Sequence, residues 1–147
     1  MQSGHKSLGY KFLRCRQCVA LPLAGKQKGK IMQAKIYHNP RCSKSRQTLQ
    51  VLLDHHVQPQ IVKYLETPPT PEELKKLLEM MKLSPGEIIR FKDKNTRELG
   101  LSPKDTRSVE EWIDFMVKNP AIIERPIVVI NGKAVLGRPP EKVLEIL

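Results

Sequence analysis

The chain has 147 residues and a net charge of +11, and its length is typical of one domain. No apolar run is long enough for a membrane-spanning helix, and three cysteines are too few for a secreted disulfide scaffold. The positive charge is concentrated in residues 1–31, which hold seven Lys or Arg and no Asp or Glu. The remaining residues have a net charge of only +4 and few aromatic side chains. This composition argues against nucleic-acid binding.

Residues 1–31 differ in composition from the rest of the chain. Their one apolar stretch, Cys18 to Ala24, is short and contains Pro22, and no clear cleavage site follows it, so a secretory signal is disfavoured. A basic, acid-free organelle transit peptide is the alternative, although serine is scarce. Met32 directly precedes the first strand-like segment. We therefore expect residues 1–31 to be a disordered or artefactual extension and residues 32–147 to form the folded domain.

Hydrophobic periodicity and helix-terminus signals predict the elements of that domain. In chain order they are a strand over 34–37, a helix over 43–55, a strand over 60–64, a helix over 71–81, a short helix that follows Ser84 and ends at Arg90, a helix over 109–118, strands over 127–130 and 133–136, and a last helix that begins at Pro139-Pro140. The last helix is expected to carry Val143, Leu144 and Leu147 inward.

The order of these elements predicts an α/β fold. A strand–helix–strand start requires a parallel pair with a right-handed crossover. Asn131-Gly132 is a strong hairpin-turn signal, so the last two strands should be antiparallel. Together they give a thioredoxin-like mixed four-stranded sheet with a helical insertion between its halves.

Cys42 lies where a cysteine can become reactive. It follows a strand and a short loop and directly precedes a predicted helix. The first backbone N–H groups of a helix have no partners within the helix, and together with the helix dipole they stabilise negative charge. A thiolate at this position has a lowered pKa, and the same N–H groups can hold an oxyanion. The alternative is that a lone cysteine is simply a small buried hydrophobe.

Positive charge surrounds Cys42 in the sequence. Arg41 and Lys44 flank it, although either could equally be an ordinary solvated side chain. Arg46 lies four residues further on, on the same helix face. His38 adds charge if it is protonated. The run Cys42-Ser43-Lys44-Ser45 carries serine where a dithiol oxidoreductase has its second cysteine, so an external thiol must release any covalent adduct of Cys42.

Three further arginines stand at predicted element boundaries, namely Arg90, Arg125 and Arg138. Arg125 and Arg138 each precede a proline, in loops that can aim a side chain. In a thioredoxin-like fold the loop before the third strand faces the cysteine helix, and a proline there is often cis, so Pro126 is a candidate for that isomer. Guanidinium groups suit tetrahedral oxyanions because they donate paired hydrogen bonds. Each arginine taken alone is more often a surface residue.

Four segments, in order, resemble the glutaredoxin-dependent arsenate reductase family. They are YHNPRCSKSR at 37–46, YLETPP at 64–69, ERPIVV at 124–129 and GRPPE at 137–141. The resemblance spans the domain from about Ala34 to Leu147. It implies a thioredoxin-like fold with a helical insertion.

The resemblance also implies a mechanism and a set of site residues. Cys42 attacks arsenate, glutathione attacks the resulting adduct, glutaredoxin resolves the glutathione-containing intermediate, and arsenite leaves. His38 favours the thiolate and Arg46 assists it. The oxyanion is bound by three arginines, Arg90, Arg125 and Arg138. We expect a cytoplasmic monomeric enzyme with glutathione as co-substrate, no bound cofactor or metal, and no nucleic-acid or membrane partner.

Two other functions fit the same scaffold. One is a glutathione-dependent thiol oxidoreductase, which the Cys-X-X-Ser arrangement permits. The other is a non-enzymatic redox regulator of transcription, which Ser45 disfavours because a disulfide switch needs a second cysteine.

Overall fold

The computed structural model describes residues 32–147; the predicted extension, residues 1–31, lies outside them. Four strands and four α-helices make up the domain. They are β1 Ala34–Tyr37, α1 Ser43–Asp54, β2 Gln60–Val62, α2 Pro71–Met81, α3 Lys94–Glu98, α4 Val109–Lys118, β3 Ile127–Ile130 and β4 Lys133–Leu136. Three 3₁₀ segments complete it, at Pro85–Ile88, Pro120–Ile122 and Pro140–Ile146.

The strands form one mixed sheet in the order β2-β1-β3-β4. β1 runs parallel to β2 and antiparallel to β3, and β3 runs antiparallel to β4. The predicted α/β fold with a mixed four-stranded sheet is therefore confirmed. The loop after β1 and the loop before β3 lie at the same end of the sheet, because Tyr37 pairs with Ile127. This pairing brings the segment that contains Cys42 close to the segment that contains Arg125.

Helical segments cover both faces of the sheet. On one face, Ile36 and Val128 pack with Leu52 of α1 and Val143 of the last 3₁₀ segment. On the other face, Tyr37 belongs to a larger cluster with α2 and α4. Successive side chains of a strand point to opposite faces, so the adjacent residues Ile36 and Tyr37 serve different clusters. Each fully buried aliphatic or aromatic side chain contributes roughly 1.5–3 kcal/mol.

The helix starts follow local capping chemistry. Thr70 and Ser108 precede α2 and α4, and in each case the side-chain oxygen accepts a backbone N–H three residues later, at 3.2 and 3.3 Å. That third residue is a glutamate, Glu73 or Glu111, and its carboxylate accepts a hydrogen bond from the N-cap backbone N–H. These capping boxes fix where both helices begin.

The last segment differs from the prediction. It is a 3₁₀ helix, and it buries Val143 completely but leaves Leu144 and Leu147 43% and 41% exposed. With three residues per turn, residues i and i+3 share a face, so Ile146 packs inward with Val143 instead. The expectation for Leu144 and Leu147 was wrong because it assumed α-helical spacing.

Smaller differences concern the ends of short elements. β2 ends at Val62, and a turn from Lys63 carries Tyr64 to the site end of the sheet. The predicted short helix to Arg90 is a 3₁₀ segment that ends at Ile88. The sequence analysis missed α3, whose N-terminus Asp93 caps by accepting from the backbone N–H of Asn95 at 3.2 Å.

Candidate active site

Cys42 is the N-cap residue of α1 and is partly exposed. Its backbone N–H donates to the Asn39 carbonyl at 3.0 Å, and the Asn39 side-chain oxygen accepts from the Arg41 N–H at 2.9 Å. The Asn39 N–H in turn donates to the buried hydroxyl of Ser45 at 3.1 Å. The loop before the cysteine is therefore fixed by hydrogen bonds to its own residues and to the first turn of α1.

The environment of Cys42 lowers the pKa of its thiol. Burial acts against this and raises the pKa, but three groups outweigh it: the Ser45 N–H, the guanidinium of Arg125 and the Lys44 N–H. Two of these are backbone N–H groups in the first turn of α1, which have no carbonyl partner within the helix and are free to stabilise a thiolate. Arg125, contributed by the loop before β3, adds the positive charge that favours the thiolate.

Arg125 also contacts Tyr64. Its Nη1 donates to the Tyr64 hydroxyl oxygen at 3.1 Å, while its Nε is buried without a hydrogen-bond partner. Burial raises the pKa of Tyr64, and the negative charge of Cys42 raises it further, whereas Arg125 and Arg90 lower it. The net pKa is raised, so the hydroxyl stays protonated at neutral pH. The Arg125–Pro126 peptide bond is cis, in agreement with the sequence expectation. Tyr64 thus joins Cys42 and Arg125 in one cluster.

The other two predicted arginines are engaged by carboxylates. Arg90 Nη1 lies 2.6 Å from Asp93, and its Nε lies 3.8 Å from Glu124 Oε2. Arg138 Nη1 donates to that same Glu124 oxygen at 3.0 Å. Arg90 acts electrostatically on Tyr64, whereas Arg138 is connected to the cluster through Glu124.

His38 and Arg46 belong to the segment around Cys42, and each has a defined environment. His38 is buried, and its Nδ1 has no hydrogen-bond partner. Burial lowers the pKa of His38, and the charge of Arg46 lowers it further, although a hydrogen bond with the Ser45 backbone acts in the opposite direction. The lowered pKa favours the neutral form of the His38 imidazole. Arg46 Nη1 donates to the Pro40 carbonyl at 3.1 Å, which braces the loop.

Thr48 connects helix α1 to two loops: the one before β3, which carries Arg125, and the one after β4, which carries Arg138. The Thr48 hydroxyl is buried and lies within hydrogen-bond distance of the carbonyls of Lys44, at 2.9 Å, and Gly137, at 3.2 Å. The Gly137 N–H donates to the Pro126 carbonyl at 2.8 Å. This chain of contacts fixes the residues that precede Arg138 and follow Arg125 relative to the helix that carries Cys42.

An open cavity of about 780 Å³ adjoins the arginines. Glu124, Arg90 and Arg138 line it, but Cys42 does not. Its other polar lining is mostly basic, from Lys92, Lys94 and Arg97, with Asp93 as a further acid. An anion can therefore approach the arginine pair through a predominantly positive opening.

The sequence analysis missed three side chains of this cluster. Tyr64 was placed at the end of a strand with no role, although it opens the YLETPP segment. Ser45 was interpreted only as a missing second cysteine, whereas its hydroxyl holds the cysteine loop. Glu124 directly precedes Arg125, but no local pattern indicates that its carboxylate contacts Arg90 and Arg138.

The fold and the position of Cys42 define a thioredoxin-like protein with one cysteine, in residues 32–147, at the start of its first helix. The sequence matches the ArsC family over residues 37–146. The chain belongs to the ArsC family, which confirms the family resemblance.

Named relatives and solved structures agree with this membership. The chain is 52% identical to the uncharacterized protein YfgD of Escherichia coli K12, over 78% of this chain and 97% of that protein. It is 46% identical to the arsenate reductase of the same strain, over 76% of this chain and 79% of that protein. It superposes on the arsenate reductase from Vibrio cholerae with a TM-score of 0.74 and 48% identity, covering 79% of this chain and 98% of that one.

The helices of the described domain are short. The longest, α1, has 12 residues. Between residues 32 and 147, no helix has the length and apolar character needed to cross a membrane.

Proposed function

We propose that this protein reduces arsenate to arsenite through the Cys42 thiolate, with glutathione and glutaredoxin as electron donors. The observation that carries the proposal is that the Arg125 guanidinium donates to the Tyr64 hydroxyl at 3.1 Å and also lowers the pKa of the Cys42 thiol at the N-terminus of α1. One guanidinium group there favours the thiolate and can donate hydrogen bonds to an oxyanion beside it. We choose arsenate as the substrate because relatives of this chain are named arsenate reductases.

The proposed chemistry is a two-electron reduction of arsenic. Cys42 Sγ forms a bond to arsenic, and one arsenate oxygen, protonated, leaves as water. A glutathione thiolate then binds arsenic and displaces a second oxygen as water. A glutaredoxin thiolate attacks the glutathione sulfur and forms a mixed disulfide, while the electron pair of the broken S–As bond stays on arsenic and reduces it by two electrons. Water finally hydrolyses the Cys42–arsenic bond, which releases arsenite and regenerates the Cys42 thiol.

The residues of the cluster have separate parts in this reaction. The N–H groups of Lys44 and Ser45 and the Arg125 guanidinium stabilise the attacking thiolate. The protonated hydroxyl of Tyr64, which accepts from Arg125, can donate to an arsenate oxygen. We assign Arg90 and Arg138 to the remaining oxygens, and Arg46 and neutral His38 to holding the loop rather than to adding charge. Because the reaction consumes reduced thiols, we propose that it takes place in the cytoplasm.

A glutathione-dependent thiol oxidoreductase is the second candidate. The specific observation in its favour is that Arg90 and Arg138 are already paired with carboxylates, which weakens the attraction of a dianion. Such an enzyme would use Cys42 alone to attack a glutathione mixed disulfide.

A coupled assay separates the two functions. Purified protein, glutathione, glutaredoxin, glutathione reductase and NADPH are mixed, and NADPH consumption is followed after addition of arsenate or of a glutathionylated peptide. Arsenate reduction predicts consumption with arsenate that Cys42→Ser abolishes. Consumption with the peptide alone, above the rate given by glutaredoxin without this protein, would contradict the proposal and favour the second candidate.

A further inference from the structure

We infer that Glu124 is an internal anion: its carboxylate occupies the position between Arg90 and Arg138 where a bound oxyanion would sit, and so weakens oxyanion affinity. The inference rests on the proposed function in one respect, namely that these two arginines bind the oxyanion. It goes beyond that function in stating that a carboxylate lies between the two arginines and that the ligand must displace it.

The geometry places one oxygen atom of Glu124 between two guanidinium groups. Oε2 lies 3.0 Å from Arg138 Nη1 and 3.8 Å from Arg90 Nε. The Glu124 side chain is 24% exposed, so the pair is partly shielded from water. An oxygen shared by two guanidinium groups is the arrangement that a tetrahedral oxyanion offers, because each of its oxygens can accept from neighbouring donors.

The backbone keeps Glu124 beside Arg90. The Glu124 N–H donates to the Ile88 carbonyl at 2.7 Å, and the Arg90 N–H donates to the Ile122 carbonyl at 2.9 Å. Ile89 and Ile123 form an antiparallel bridge between these two hydrogen bonds. The two segments therefore lie side by side, and the contact between the Arg90 and Glu124 side chains follows from the fold rather than from a chance surface rotamer.

Asp93, the second carboxylate on Arg90, has a different role. Its Oδ1 caps α3 by accepting from the Asn95 N–H at 3.2 Å, and its Oδ2 contacts Arg90 Nη1. It thus holds one edge of the Arg90 guanidinium and leaves Nε to Glu124. Glu124 has no such capping bond among the described residues, and it borders the open cavity into which it can withdraw.

The balance of charges at the site determines how the Glu124 carboxylate affects oxyanion binding. The three arginines Arg90, Arg125 and Arg138 are balanced by Asp93, Glu124 and the Cys42 thiolate. A dianion entering this neutral set gains its full attraction only when Glu124 leaves the arginine pair. Arsenous acid, which is uncharged at neutral pH, cannot compete with a returning carboxylate. Glu124 is therefore expected to favour product release while it weakens substrate binding.

Glu124→Gln tests the inference, because it removes the charge and keeps the shape and a hydrogen-bond acceptor. Calorimetric titration with arsenate, and separately with sulfate, is performed in a Cys42→Ser background so that binding is not followed by reaction. We expect both oxyanions to bind about tenfold more tightly to the variant, which corresponds to about 1.4 kcal/mol. Glu79→Gln is the matched control: it makes the same charge change on the exposed face of α2 and should leave both Kd values unchanged.

The outcomes distinguish the inference from the proposed function. If the parent protein binds arsenate and Glu124→Gln binds it equally or more weakly, Glu124 only positions the arginines and the inference is wrong, while the proposed function stands. If neither protein binds any oxyanion, both are wrong. Steady-state kinetics with intact Cys42 give a second readout: Glu124→Gln should lower the KM for arsenate about tenfold without raising kcat, whereas a purely structural role predicts no fall in KM.

Discussion

Arg125 and Tyr64 are joined by a hydrogen bond of 3.1 Å from Nη1 to the phenolic oxygen, within the cluster that contains Cys42. The two residues come from different halves of the domain sequence, 61 residues apart. Their contact fixes the direction of the guanidinium, because Tyr64 holds the tip of the Arg125 side chain.

The first prediction concerns that contact. Tyr64→Phe removes the acceptor for Arg125 and the hydroxyl proton that faces the substrate, while it keeps the buried ring. A hydrogen bond to a charged group contributes about 1.5–3 kcal/mol, so kcat/KM for arsenate should fall at least about tenfold. Tyr37→Phe is the control, since Tyr37 packs in the same core cluster and is not part of the site. Equal kcat/KM values for Tyr64→Phe and the parent protein would show that the hydroxyl has no part in the reaction.

The second prediction concerns the shape of the Arg125 side chain. Arg125→Lys keeps the charge but replaces a planar fork by a point charge, which cannot contact Tyr64 and an oxyanion together. We expect the KM for arsenate to rise about tenfold or more, in line with the loss of one charged hydrogen bond. Arg41→Lys, made at an exposed position of the loop that precedes Cys42, should leave KM unchanged. An unaltered KM in Arg125→Lys would mean that the guanidinium does not bind substrate.

The third prediction concerns the packing between α1 and the Arg138 loop. A Cβ atom on Gly137 would lie 2.7 Å from Thr48 Oγ1 and 2.8 Å from Pro126 Cγ, so Gly137→Ala must displace the loop. Overpacking of this kind costs about 1–3 kcal/mol of the free energy of unfolding, which urea titration measures. Gly86→Ala is the control, because nothing lies within 4 Å of its added Cβ. Equal stability of Gly137→Ala and the parent would show that the loop moves without an energetic cost and that α1 does not fix the position of Arg138.

The fourth prediction concerns His38. Because burial lowers its pKa, the imidazole should titrate below the ordinary value of about 6.5 and be neutral at pH 7. Protonation is then disfavoured in the folded state, so this residue lowers stability as the pH falls below that ordinary value. NMR titration of the imidazole, assigned by comparison with His38→Gln, gives the midpoint. A midpoint above the ordinary value would instead support a charged His38 that stabilises the thiolate.

Local patterns in the sequence predicted most of the fold. The apolar strands, the Asn131-Gly132 turn and the signals at the helix termini each act within a few residues, and the structure shows most of the elements they predict. The last helix was predicted wrongly because a Pro-Pro start is compatible with α-helical or 3₁₀ geometry. Only packing against Leu52 and its neighbours shows which residues face inward.

The site could be predicted in part for the same reason. Cys42 at a helix start is a local feature, and the Arg-Pro pairs are visible along the chain. The partners of those arginines are not local: Tyr64 is separated from Arg125 by 61 residues, and Glu124 reaches Arg138 across 14. Such pairings depend on how strands and loops meet in three dimensions, so periodicity and spacing carry no signal for them.

The central claim is that Cys42 is a thiolate stabilised by the start of α1 and by Arg125. The most direct measurement is the rate of iodoacetamide alkylation of Cys42 against pH, in a variant with Cys15 and Cys18 replaced by alanine. Because the pKa is lowered, the thiolate should persist below the ordinary range of about 8.5 and alkylation should decline only as the pH falls through the lowered pKa. Arg125→Ala should move the midpoint upward. A midpoint at or above the ordinary value, unaffected by Arg125→Ala, would contradict the account.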